Sequence, residues 1–181
     1  VNVDEVTHWK PFKPQQGPSV DLSFLDGHYV SYTYQPEGEN GITYQFYVTY
    51  SFHCFAKAYD WQTEADQRKL LYKAPNDARP FCYQRYELAK KYMCQVIKNL
   101  PESIVVHAGY GSYASTKVVD DAGKEAWYFV PFKVFREKKK FRIHVTSAYL
   151  STTPPGGGKV KFFTIAKNLK LGKALPRPRG A

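Results

Sequence analysis

Over residues 141–150, FRIHVTSAYL, apolar and polar side chains alternate: Phe141, Ile143 and Val145 fall on one side, Arg142, His144 and Thr146 on the other. Successive side chains of a strand point to opposite faces, so this period of two predicts a β-strand with one apolar and one polar side. Residues 42–55 repeat the pattern, with Ile42, Tyr44, Phe46, Val48, Tyr50 and Phe52 on one face and Thr43, Gln45, Tyr47, Thr49, Ser51 and His53 on the other. Residues 29–34 precede them across the turn-rich 36–41, which predicts a hairpin. Further strands are expected at 103–107, 126–135 and 160–165, with turns at 120–123 and 136–139.

The period changes over 84–100. Leu88, Ala89, Tyr92, Met93, Val96, Ile97 and Leu100 recur at spacings of three and four, Glu87, Lys90, Lys91 and Lys98 take the other side, and Pro101 follows. That is an amphipathic helix with a stop. Residues 60–80 read as a long polar loop holding at most a short helical piece. The fold class expected is α+β: a curved antiparallel sheet of about five to six strands with one long helix packed on one face, the other face open. The expected division is an extended N-terminal arm at 1–20, a single α+β domain at 21–171 and a basic flexible tail at 172–181, with a glycine-rich joint at 154–158.

With 43% apolar residues in 181, the chain can bury one substantial core, and 17% aromatics favour strands over disorder. The net charge of +10 is unevenly spread: nine carboxylates face three Lys and Arg up to Asp66, and seven face twenty-three after it. A strongly basic half attracts polyanions, so RNA or another acidic macromolecule is the expected partner, with a protein partner as the alternative. Three cysteines without a CxxC pair fit a reducing, cytoplasmic setting. No apolar run reaches the roughly 18 residues of a membrane helix and no leader pattern is seen, so no membrane association is expected.

The segments YSFHCF at 50–55, RPFCYQRYELAKK at 79–91, VTSAYL at 145–150 and the closing KVKFFTIAKNLKLGKAL resemble a group of small bacterial and prophage proteins labelled heat shock protein C or stationary phase growth adaptation protein. The resemblance covers roughly residues 20–175. It nominates His53, Cys54, Arg79, Arg85, Tyr86, Ser147 and Tyr149, and a prokaryotic cytoplasmic setting. The chain departs at Ala56, where the group carries a threonine hydroxyl.

Arg85 is expected in the first helical turn, where a guanidinium adds to the positive helix N-terminus and suits an anion; the alternative is a pair with a local carboxylate. His53 is expected on the polar face of its strand, either as hydrogen-bonded structure or as a general acid or base. Ser147 and Tyr149 share the apolar face unless the strand bends, with hydroxyls that otherwise donate to a phosphate. Arg142 and His144 are either solvated or part of a basic groove with Arg79, Lys138, Lys139 and Lys140. Tyr47 and the tyrosines of 110–113 are expected to stack on bases.

The cysteines and histidines lack zinc-ligand spacing, and no phosphate-binding loop, dinucleotide fingerprint or serine elbow is present, so no metal and no cofactor are expected. The function these signs suggest is a stress-response or prophage/defence-associated protein that binds RNA or an acidic partner through its basic face. The alternatives are a metal-independent, toxin-like ribonuclease using His53, Arg85 and Tyr149, or a member of a toxin/immunity pair.

Overall fold

The computed structural model describes residues 6–109, 112–121, 124–154 and 156–178. In chain order its elements are β1 (His28–Tyr34), β2 (Ile42–Tyr50), α1 (Glu64–Lys69), β3 (Leu71–Lys73), β4 (Ala78–Pro80), α2 (Tyr83–Lys98), β5 (Ile104–His107), β6 (Ser112–Asp121), β7 (Lys124–Glu137), β8 (Lys140–Val145), β9 (Tyr149–Ser151), β10 (Lys159–Val160) and α3 (Phe162–Lys170). Several expectations reach past these limits. Residues 1–5 of the arm, Tyr110 among the stacking tyrosines, Ala122 and Gly123 of the turn at 120–123, Pro155 of the joint, and residues 179–181 of the tail lie outside the described residues.

Among the described residues the main sheet has eight strands in the order β1-β2-β8-β7-β6-β5-β10, with β9 also pairing β7; β3 and β4 form a separate two-stranded sheet. Neighbours run antiparallel except β2 and β8, which are parallel, with Phe46 opposite Phe141 and Tyr50 opposite Val145. This corrects the expected fold. The sheet is larger than five or six strands and mixed rather than antiparallel, and the helical cover is divided among segments instead of resting on one long helix. Strands β2 and β8 lie some ninety residues apart, so their parallel pairing leaves no mark on the local alternation of either.

The register carries the core across the strands. Tyr44, Phe46, Val48 and Tyr50 of β2, Ile143 and Val145 of β8, and Val130, Phe132 and Val134 of β7 are all buried on one face. Two helices cover that face. From α2, Tyr92 meets Tyr128 with ring centroids 5.7 Å apart, and the Tyr32 hydroxyl donates to the Ile97 carbonyl at 2.6 Å. From α3, Phe162 packs on Tyr32 at 5.0 Å and Phe46 at 5.6 Å.

The strand expected at 160–165 is therefore mostly helix: only Lys159–Val160 pairs in the sheet. Phe162, Ile165, Ala166 and Leu169 are buried at helical spacing, and this outweighs the strand preference of the Val-Lys-Phe-Phe run. The polar residues 60–80 hold α1 and the β3–β4 hairpin. Residues 6–20 are irregular apart from a bridge between Phe12 and Val20, and they bury Trp9 and Phe12. The tail is anchored through Tyr113, whose hydroxyl donates to the Pro176 carbonyl at 2.9 Å.

Candidate functional site: the Arg85 corner

An aromatic cluster sets the start of α2. Phe12 stacks on Phe81 at 4.2 Å, Phe55 meets Tyr72 edge-on at 5.0 Å, and the Tyr72 hydroxyl donates to the Lys10 carbonyl at 2.9 Å. The Cys82 N–H donates to the Phe55 carbonyl at 2.8 Å, tying the residue before the helix to the chain just past β2. Because β2 ends at Tyr50, His53 sits in a single 3-10 turn, Phe52–Cys54, capped by the Ser51 side chain, and not on the strand's polar face.

Arg85, in the first turn of α2, reaches into this junction. Its Nη1 donates to the His53 carbonyl at 2.7 Å and to Ser147 Oγ at 3.3 Å, and its Cζ lies 5.5 Å from the centre of the Tyr149 ring. Its Nε–H is buried without a partner, and among the described residues no carboxylate pairs with it. The first turn of α2 also carries no acidic residue and has no side-chain cap. A half-buried cation thus adds to the positive end of a sixteen-residue helix with nothing of opposite sign among the described residues to balance it.

Ser147 and Tyr149 arrive here because the strand breaks. Val145 pairs with Phe132 but Tyr149 pairs with Phe129, so four steps along one strand match three along the other. The extra residue is a bulge. It moves Tyr149 off the face of Ile143 and Val145, beside Phe129 at 5.4 Å, while Ala148 is fully buried.

Burial first, then the charge of Arg79, lowers the proton affinity of His53; Arg85 and Lys57 push the same way and Asp77 opposes. Its imidazole is held neutral near physiological pH. Arg79 itself is engaged with Asp77, Nε to Oδ2 at 3.0 Å, and both side chains are exposed. Burial raises the Cys54 thiol to about 12, which keeps it protonated and a poor nucleophile.

The remaining expected residues are elsewhere. Arg142 is only 4% exposed: its guanidinium bonds Glu137 and lies 5.0 Å from the Tyr47 ring centre and 5.6 Å from that of Phe135. His144 is buried with Nδ1 3.0 Å from Thr49 Oγ1. Lys138, Lys139 and Lys140 form the exposed tip between β7 and β8, where Lys138 takes a positive φ of 54°. At strand rise the tip and Ser147 are roughly 20 Å apart along the chain. The expected single basic hollow is two places, not one.

Sequence reasoning passed over Tyr59 and Trp61. The Tyr59 hydroxyl is 3.6 Å from Cys82 Sγ, and Trp61, 77% exposed, stacks on the Tyr59 ring at 5.6 Å. Burial and the Cys82 thiol raise the Tyr59 phenol while Arg85 pulls it down, which marks Tyr59 as a neighbour of the corner. Two aromatics inside an otherwise polar loop were the available signal.

The chain belongs to the YjaZ family, which it matches over residues 7–170. Protein YjaZ of Escherichia coli (strain K12) is 52% identical over 174 residues, covering 96% of this chain and 97% of that protein. No solved structure matches this chain. Membership in this bacterial family is compatible with the stress-linked resemblance of the motif segments. No helix among the described residues is long and apolar enough to cross a membrane, and no group of three His, Cys, Asp or Glu among them is placed to hold a metal ion.

Proposed function

We propose that the Arg85 corner binds a phosphate group of RNA or of another acidic macromolecule, in the cytoplasm of a bacterium and in a stress-response or prophage setting. One observation carries the reading: a half-buried guanidinium at a helix N-terminus has an unpaired Nε–H and no carboxylate among the described residues. An anion seated there would meet a charge-assisted donor, the Ser147 hydroxyl and the backbone N–H groups of the first turn.

Titration calorimetry with inorganic phosphate and with a short RNA tests it. Charged hydrogen bonds are worth about 1.5–3 kcal/mol, so Arg85→Ala should weaken binding roughly 10- to 100-fold, with Arg85→Lys intermediate. Arg68→Ala, which removes an exposed partner of Glu64, should leave it unchanged. Unaltered affinity in a folded Arg85→Ala protein would end the proposal.

A second reading, metal-independent RNA cleavage, is favoured by the lowered proton affinity of His53, since a neutral imidazole can accept the proton of a 2′-hydroxyl. Arg85 would then clamp the phosphate and Tyr149 donate to it. Cleavage in EDTA by the parent protein, lost in His53→Ala, would select this reading over binding alone.

A further inference from the structure

A second surface, on the side of the sheet away from the helices, has the makings of a stacking platform. Tyr29 of β1 and Tyr47 of β2 are directly paired in the ladder, with ring centroids 4.9 Å apart. Tyr29 is 52% exposed. Lys140 Nζ stands 5.9 Å from the centre of the Tyr29 ring and 6.0 Å from that of Tyr47, bridging the two. Arg142, the ladder partner of Tyr47 in β8, lies 5.0 Å from the centre of that ring.

The surroundings are polar and cationic. Ser31, Thr33, Thr43 and Gln45 share this face and are exposed, with Thr33 and Thr43 joined Oγ1 to Oγ1 at 2.9 Å. Lys138 and Lys139 extend the positive charge at the hairpin tip, and a surface hollow of about 500 Å³ opens along residues 137–140. The carboxylate at that tip, Glu137, is already bonded to Arg142. The face thus offers one open ring, a cation over it and hydroxyl and amide groups alongside.

We infer that the outer face of β1, β2 and β8, centred on Tyr29 and Lys140, binds single-stranded nucleic acid, stacking a base on Tyr29 and taking the adjoining phosphates on the hairpin lysines. The physical reason for a single strand is access. An exposed tyrosine can gain a stacking partner only from a base already out of a helix, and every base has such a face, whereas a duplex offers this surface only phosphate. An acidic protein would satisfy the lysines and leave the ring without a partner. The site stands on observations separate from those at Arg85.

Fluorescence anisotropy with a labelled oligouridylate of about ten nucleotides tests it. Tyr29→Ala should weaken binding roughly tenfold, and Tyr29→Phe should retain it, because stacking needs the ring and not the hydroxyl. Exposure of Tyr29 makes the substitution tolerable to the fold, and thermal melting checks this. A duplex of matched length should bind more weakly than the single strand. Three results would each overturn the inference: no binding by the parent protein, Tyr29→Ala binding like the parent, or duplex binding as tight as single strand. The outcome at Arg85 is read independently, because Arg85→Ala alters the corner and leaves Tyr29 and the hairpin lysines in place, and a Tyr29-dependent loss with oligouridylate persists whether or not Arg85→Ala changes phosphate affinity.

Discussion

Arg85 and Arg142 show how the same side chain comes to opposite uses. Arg142 is closed off by a carboxylate and two aromatic rings, so its charge is spent on holding β8 to its neighbours. Arg85 directs its bonds to a backbone carbonyl and to the hydroxyls of Ser147 and Tyr59, none of which carries a charge to neutralise it. Burial and the surrounding cations lower the folded-state proton affinity of His53 below the ordinary value of about 6.5, so on acidification the unfolded chain takes up the proton first. The stability this residue contributes is complete above about 6.5 and is lost as the pH falls through that value toward the lower folded one. Thermal melting at about pH 7 and about pH 5 should show a larger drop for the parent protein than for His53→Gln. Equal drops would mean that His53 is not held neutral. Its lowered affinity was not legible in the sequence, because it comes first from burial and then from Arg79, which, like Arg85, only folding brings close.

At the scale of elements, two events create the corner: the early end of β2 and the bulge between β8 and β9. Both were partly visible. The YSFHCF and VTSAYL segments stood out by their resemblance to the bacterial and prophage group, yet alternation alone ran each strand straight through, placing His53 on a polar face and Tyr149 in the core. A period-two pattern cannot announce a single inserted residue, since the insertion only exchanges faces. Helix α3 shows the opposite failure, a helix hidden in residues that favour strands. Phe162 is its anchor, fully buried against Tyr32 and Phe46. Phe162→Ala should cost about 3–5 kcal/mol in urea denaturation, the usual loss for a buried phenylalanine. A loss under about 1 kcal/mol would show that α3 contributes little to the core.

For the whole molecule, charge is distributed by topology more than by sequence position. The basic second half of the chain supplies both the hairpin tip at one end of β8 and residues near the Arg85 corner at the other. A polyanion that meets the protein through these groups displaces counterions, so its affinity should fall steeply as salt is raised. Measured against RNA over a salt series, Arg85→Ala should lower the slope of log affinity against log salt by about 1, as expected when one fewer phosphate is neutralised. An unchanged slope would place the RNA phosphates elsewhere. Binding that ignores salt would replace the polyanion with a protein interface.

The sequence by itself determined the local periodicities, the amphipathic stripe of α2 and the two-faced pattern of β2 and β8, and with them the cationic excess after Asp66. These are written in neighbours a few residues apart, where backbone geometry acts directly on side-chain order. The tertiary structure alone decided that β2 and β8 run parallel, that the sheet reaches eight strands, that Arg142 is enclosed while Arg85 is not, and that the lysine tip and the Arg85 corner are separate places. Those outcomes depend on which distant segments pair and in which register, and the energy that selects them is the burial of whole faces against one another.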